Sequence, residues 1–357
     1  MKAGWLNEPS DNGINADEWN GFVQKVGTPF HSKNFMEALD IGWEGTRYNR
    51  HVILGENGIS AVIPAYLYET CPRLDYYRHA VSPPLKDPVI LSHNFVSYYG
   101  YPLAISDMSR KKVIRQFIHN AKMESAIAMM GGIDSRDEKL TADLKSNGFH
   151  LGWFHTLMIR DLTGVNKEDP TTALPHKNRH RVRNSLSLAR RAGLKVRLAD
   201  QEEYRQAADL IMDTVIRLGM DPEVLPRKFV HHFIHSKIPG LEVFLTLTPM
   251  EEIIGVQVGV HWRTTYYIMF AGHKHPYLNR YKQSHVLYEQ LIRRAAFLGC
   301  NEIQSGRDPY PIKKQHGFTP VPLFCAVRGE NPKQHERALQ WLKSIEKRHI
   351  EKYGSQF

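Results

Sequence analysis

The sequence predicts an α/β protein built from two copies of one unit, and three observations carry that prediction. Segments with helical spacing of apolar residues alternate with short apolar or β-branched runs along the chain. The same order of elements occurs twice. Near the end of each copy stands a matching pentapeptide, Lys145-Ser-Asn-Gly148-Phe149 in the first and Lys314-Gln-His-Gly317-Phe318 in the second.

In the first half, Trp19, Phe22, Val23 and Val26 mark a short helix, and SKNFMEALDIGW reads as a second one capped by Ser32. Strands follow at HVILGE and ISAVIPAYLYE, then a Pro- and Tyr-rich region from Pro83 to Pro102. The helix MSRKKVIRQFIHNAKME, the strand SAIAMMGG, the helix RDEKLTADLKSNG and the strand HLGWFHTLMI complete the half.

After the loop TGVNKEDPTTALP, a basic helix opens the second half. In the helix EEYRQAADLIMDTVIRLGM, Tyr204, Ala208, Ile211, Val215 and Leu218 form one apolar stripe up to Gly219. Strands are expected at LEVFLTLT, IIGVQVGVHW and TTYYIMFAG, then a helix capped by Ser284, the strand NEIQ, a short helical turn and the strand VPLFCAV. Four residues before the glycine of the repeated motif stand Leu144 in the first copy and Lys313 in the second. A core-facing position has become cationic, and a buried ammonium needs a reason.

A chain of 357 residues exceeds one ordinary core, since domains run to about 100–200 residues. Two are expected, over 1–162 and 163–357. The hydrophobic and charged fractions, 42% and 24%, exclude wholesale disorder. The N-terminus turns polar before any apolar run of signal-peptide length, and no eighteen consecutive residues are apolar, so no transmembrane segment and a cytoplasmic location are expected. Cys71, Cys300 and Cys325 lie far apart without a C-x-x-C pair and read as reduced core thiols. A net charge of +10 favours an anionic partner such as nucleic acid, a phosphorylated ligand or an acidic membrane surface.

The basic helix and its exit, HKNRHRVRNSLSLARRAGLKVR, hold eight Lys/Arg, two His and no acid in 22 residues. At 100° per residue Arg179, Arg183 and Arg190 fall within about 40° of one another, beside an apolar stripe of Val182, Leu186, Ala189 and Ala192. The stripe is expected to dock the helix and the arginine ridge to meet phosphate. A second segment, GRDPYPIKKQHGFTP, follows a strand and gathers Arg307, Asp308, Lys313, Lys314 and His316. His231 and His235, one turn apart, lack the glutamate of a zinc-protease helix and are read as ordinary helix histidines, so no metal is expected. The cluster from Tyr98 to Tyr101 either packs at a sheet edge or lines an acceptor pocket.

The chain resembles the FemAB/FemX family of non-ribosomal peptidyltransferases, within the broader GNAT acyltransferase superfamily. The likeness rests on several features taken together. They are Trp19 and Phe22 followed by TPFHSKNF, Tyr98-Tyr99-Gly100-Tyr101-Pro102, and LKSNGF before a strand and Asp-Leu. They continue with Ala-Gly-Leu-Lys-Val after the basic helix, YYIMFAGHKHPYLNRYKQSHVLYEQLIRRAAFLG, and the closing IKKQHGF. The resemblance implies tandem GNAT-like domains, each a mixed central sheet flanked by helices, and transfer of an aminoacyl group from aminoacyl-tRNA to a small-molecule or peptide amine. It also implies that the lysine of a Lys-x-x-aromatic-Gly pattern lies beside the reacting ester; that lysine is Lys313, with His316 in place of the aromatic.

An aminoacyl ester is already activated, so the chemistry needs positioning, oxyanion stabilisation and removal of one proton, with no cofactor. Asp308 and His316 are the nearest candidate bases. Gly272 is followed by HKHPYLNRYKQ without another glycine, so a coenzyme A pyrophosphate loop is not expected, although Arg280 and Lys282 can hold phosphate as point charges. Arg179, Arg183, Arg190, Arg280, Lys282 and Arg307 are thus the expected tRNA or phosphate contacts, and Tyr98 and Tyr101 the expected acceptor pocket. Two other readings stay open: an N-acyltransferase using acyl-CoA or an acyl carrier protein, and a nucleic-acid-binding protein without activity.

Overall fold

The structure, a computed structural model, describes residues 3–6, 16–43, 47–55, 58–68, 81–82, 84–92, 96–221, 224–306 and 309–354. It divides into two compact units, one of Met1–Thr156 with Val321–Phe357 and one of Leu157–Pro320.

The first unit opens with strand β1 (Ala3–Leu6) and helix α1 (Ala16–Val26), which buries Trp19, Phe22 and Val23. The Trp19 indole donates to the carbonyl of His31 at 2.8 Å, so the buried ring keeps a partner for its N–H. Helix α2 (Lys33–Gly42) starts where expected, with Ser32 Oγ accepting from the Phe35 amide. Strands β2 (Arg47–Gly55), β3 (Gly58–Tyr68), β4 (Val89–Leu91) and the short β5 (Leu103–Ala104) follow. Helix α3 (Asp107–Met123) is capped by Ser106 and packs Val113, Ile114 and Phe117 onto Ile63, Ile90 and Met130. Strand β6 (Ile127–Asp134), helix α4 (Glu138–Ser146) and strand β7 (His150–Asp161) end the first half of the chain.

The second unit takes over within β7. A 3-10 turn at Pro170–Ala173 leads into the basic helix α5 (His176–Arg191), which buries the expected Val182, Leu186 and Ala189. Strand β8 (Lys195–Leu198), helix α6 (Tyr204–Arg217) and helix α7 (Arg227–His235) come next. Then follow β9 (Leu241–Leu247), β10 (Ile253–Trp262), β11 (Thr265–His273), helix α8 (His275–Tyr281), helix α9 (Gln283–Phe297), β12 (Glu302–Ser305) and helix α10 (Tyr310–Gln315). Ser284 is not the cap of α9: the N-cap is Lys282 in a left-handed conformation, and Ser284 lies one residue inside the helix.

The chain returns to the first unit through β13 (Thr319–Arg328) and the long helix α11 (Pro332–Tyr353), capped by Asn331 and burying Ala338, Trp341 and Leu342. The expected division at 162/163 therefore needs correction, because residues 321–357 pack with the first unit. In the first unit the strand order is β1-β2-β3-β4-β6-β13; in the second it is β7-β12-β11-β10-β9-β8. Each is a mixed sheet, antiparallel except for one pair, β4 with β6 and β11 with β12. The last strand of each half thus completes the sheet of the other half's unit: β13 pairs with β6, and the end of β7 with β12. A boundary in sequence cannot show that exchange.

The repeated motif has one geometry in both units. The amides of Asn147 and Phe149 donate to the carbonyl of Leu144, and those of His316 and Phe318 to the carbonyl of Lys313. Gly148 and Gly317 follow with φ of 79° and 80°, a left-handed turn that favours glycine.

Candidate functional site

Helix α10 lies just beyond the carboxyl end of β12, where α/β sheets tend to carry sites. Strand β11 pairs with β12 only from Thr265↔Glu302 to Ile268↔Ser305, where β12 ends, and continues to His273 paired with β10 on its other side. Lys313, on α10, is 1% exposed, and the matching Leu144 is fully buried. The Lys313 ammonium donates to the carbonyl of Gly306 and lies 5.8 Å from the centre of the Tyr310 ring. An ammonium held at a leucine position forgoes its hydration, at a cost of several kcal/mol that its polar contacts have to offset.

Beside it, His316 is completely buried and stacks on Tyr288, ring centres 5.5 Å apart at 33°. It therefore fills the aromatic place of the motif. Its Nε2 is 3.0 Å from Nδ1 of His285 on α9, while its own Nδ1 meets no hydrogen-bond partner among the described residues. Burial pushes His316 well below the usual imidazole range, helped by His285 and Arg160; burial, with the nearby Lys282 cation, lowers His285 to about 4. Both rings are neutral near pH 7, so one donates and the other accepts, and the half-exposed His285 is the one that meets solvent. Tyr288 bonds to Ser305, and its phenol is pushed up to about 12 by burial.

Arg160 on β7 fixes this arrangement from below. Its guanidinium, 3% exposed, donates to the carbonyls of His316 and Pro170, both at 2.7 Å. Burial lowers it while the Glu289 carboxylate opposes that shift, and Glu289, raised by burial, pairs with Arg293 at 3.3 Å. Arg160, His285, Tyr288 and Glu289 did not emerge from the sequence. The only signal was a run of polar residues on the inward face of α9.

The basic helix departs from expectation. Arg179 is turned onto its own entry loop, donating to the carbonyls of Thr172 and Leu174 at 2.7 and 3.0 Å. Arg183 donates to Thr171 Oγ1 and pairs with Asp169 at 2.5 Å. Two of the three ridge arginines are thus structural, because the ridge beside the docking stripe faces the loop that carries Asp169. Arg190 is exposed, and so are Lys177, Arg181 and Arg191. At 100° per residue Lys177, Arg181 and Arg191 share a face spanning about 80°, and none of them has an acidic partner among the described residues.

Of the remaining expected contacts, Arg280 is exposed with its guanidinium 5.1 Å from the Tyr281 ring, and Lys282 is exposed at the α8–α9 junction. Arg307 and Asp308 lie outside the described residues, as does Cys71. Tyr98 and Tyr101 belong to the first unit, with ring centres 5.1 Å from Phe30 and 5.9 Å from His31 respectively. His231 pairs with Asp209 at 3.0 Å, and no cluster of metal-ligating side chains occurs among the described residues. Cys300 and Cys325 are buried free thiols, and no helix among the described residues is long and apolar enough to cross a membrane.

These features define a tandem protein of the GNAT acyltransferase fold, and comparison with known proteins agrees. Residues 176–314 match the model of an acetyltransferase (GNAT) domain. Over 91% of this chain and 97% of the other, the structure is similar to that of FemX, with a TM-score of 0.63 at 13% identity. L-PGS from Bacillus licheniformis is similar over 92% and 97%, with a TM-score of 0.59 at 13% identity. A conserved protein of unknown function from Bacteroides thetaiotaomicron is similar over 91% and 99%, with a TM-score of 0.62 at 12% identity. No curated protein sequence matches the chain. The fold is FemX-like, as the motifs imply.

Proposed function

We propose that the protein is an aminoacyltransferase that moves an aminoacyl group from aminoacyl-tRNA to an amine, forming an amide without coenzyme A. The observation that carries the reading is the ammonium of Lys313, buried beyond β12 at the motif position that holds Leu144 in the other unit. In the reaction the amine attacks the ester carbonyl, the C–N bond forms, the ester C–O bond breaks, and the ribose hydroxyl leaves. Lys313 stabilises the negative charge that develops on the carbonyl oxygen. His285, neutral and half-exposed, takes the proton from the attacking nitrogen and returns it to the departing ribose oxygen, while His316 and Tyr288 hold its ring in place.

The polyanionic donor docks on the exposed face of α5 formed by Lys177, Arg181 and Arg191. Arg280 and Lys282 extend the positive surface. Among the fold relatives is the C-terminal domain of a putative lysylphosphatidylglycerol synthetase from Agrobacterium fabrum, a name that speaks of attaching an aminoacyl group. The connection between β11 and α9 supports the same donor, since a seven-residue helix fills it and it holds no glycine after Gly272. A cytoplasmic location follows from the need for charged tRNA.

A second reading, N-acylation from acyl-CoA or an acyl carrier protein, is favoured by the acetyltransferase match over 176–314. The two separate in one assay. The protein is incubated with charged tRNAs bearing labelled amino acids and a set of amines, with and without ribonuclease, and in parallel with labelled acyl-CoA. Ribonuclease-sensitive amide product supports the aminoacyl-tRNA donor. Product formed only from acyl-CoA overturns it.

A further inference from the structure

The first unit holds a basic cavity of about 320 Å³ that the reading above does not use. One wall is helix α3, where Arg115, Ile118, His119 and Lys122 stand at i, i+3, i+4 and i+7 and therefore share a face. Across from it stands Arg328, at the end of β13, whose cross-strand neighbour is Ala128. The floor is made of small side chains, Ala121, Ala126 and Ala128, which leave the space empty of bulk.

Three permanent cations, Arg115, Lys122 and Arg328, thus face one carboxylate in the lining, Glu330, and no acid lies within ion-pair distance of any of the three among the described residues. The backbone nearby is already engaged. The Gly329 amide donates to His335 Nδ1 at 3.1 Å and the Glu330 amide to Gln334 Oε1 at 2.7 Å. A Cβ on Gly329 would stand 2.3 Å from the His335 nitrogen, so this wall is held tightly against α11. Recognition of a ligand falls to the side chains alone.

We propose that this cavity binds a phosphate monoester. The surplus of cations suits a dianion, and two guanidinium forks match the tetrahedral array of phosphate oxygens better than they match a lone carboxylate. The alanine floor accepts the organic part of the ester, and the volume is at the low end for small-molecule sites, enough for one phosphate with a modest substituent. Such a phosphate can belong to a free metabolite or to the headgroup of an anionic lipid, and the chemistry in the cavity is the same for both.

The test is calorimetric titration of the full chain with inorganic phosphate, with adenosine monophosphate as a soluble ester, and with vesicles of neutral lipid containing phosphatidic acid. Saturable binding of at least one probe is expected, weakened at least tenfold by Arg115→Glu and by Arg328→Gln, and unchanged by Lys139→Ala on the exposed face of α4. A stronger response to vesicles assigns the phosphate to a lipid, and a stronger response to the soluble ester assigns it to a metabolite; either supports the site. Arg115 is exposed, so that variant keeps the test valid if Arg328→Gln unfolds. No saturable binding of any probe, or binding that survives Arg115→Glu, or binding lost equally in Lys139→Ala, overturns the proposal. Acyl transfer is a separate readout, so the failure of either idea leaves the other standing.

Discussion

Nε2 of His316 lies 3.0 Å from Nδ1 of His285, with the first ring sealed in the second unit and the second half-exposed. The motif position that calls for an aromatic is filled by a ring that stacks like one and also makes a hydrogen bond. His285→Ala is expected to lower kcat about 10²-fold or more, the contribution of a general base. His316→Phe retains the stack on Tyr288 and loses only the bond, so a smaller fall in kcat with unchanged KM is expected. Equal losses in both, or none in His285→Ala, would show that the pair is merely packing.

Lys313 and Leu144 occupy one position of a repeated motif, so the second unit can be given the first unit's residue. Lys313→Leu restores the apolar residue that the first unit carries and removes the desolvation cost of the ammonium, so the fold should survive with little change in Tm. The same variant should lose about 10²–10³ in kcat, the scale of one oxyanion contact. Thermal unfolding and steady-state kinetics on one preparation check both halves. A variant both less stable and fully active would reverse the assignment.

The two kinds of arginine on α5 should respond differently. Arg181→Glu and Arg191→Glu should weaken tRNA binding and flatten the slope of log K against log salt by about one per lost contact. Arg183→Ala should lower stability instead, since it removes the pair with Asp169. The loss is expected to be about 1 kcal/mol or less, because the Arg183 side chain is 50% exposed.

Acid should unfold the protein earlier than its carboxylates alone require. Burial lowers His31 to about 3 and His273 and His285 to about 4, against an ordinary value of 6.5. Above 6.5 these groups are neutral in folded and unfolded chains alike. As pH falls from 6.5 towards 4, only the unfolded chain gains their protons, so stability is lost. Each histidine that remains neutral in the fold removes up to about 1.4 kcal/mol per pH unit. Denaturant midpoints measured from pH 7.5 to 4.5 should fall steadily, and less steeply in His31→Asn. A flat profile above pH 5 would contradict the burial of these rings.

The sequence disclosed Lys313 because the motif appears twice, and the comparison with Leu144 was available without coordinates. It disclosed the docking stripe of α5 because periodicity alone sets which residues share a face. It does not disclose the partners of the arginine ridge, because Asp169 sits 14 residues before Arg183, outside the helix, and is folded back by the Pro170–Ala173 turn. His285 was missed for a related reason: 31 residues separate it from His316 and no spacing rule joins them. The long C-terminal helix is different, since Ala338, Trp341, Leu342 and Ile345 carry a plain helical period. Its return to the first unit is a matter of strand pairing that no local pattern encodes.

The most direct test of the central claim is a single-turnover transfer of labelled amino acid from charged tRNA to an amine, run side by side with native protein and Lys313→Leu. The account predicts ribonuclease-sensitive label in an amide product for the native chain and at least a hundredfold slower transfer for an equally well folded variant. Transfer that proceeds at the same rate with leucine at this position, or that never draws label from tRNA while acyl-CoA serves, would contradict it.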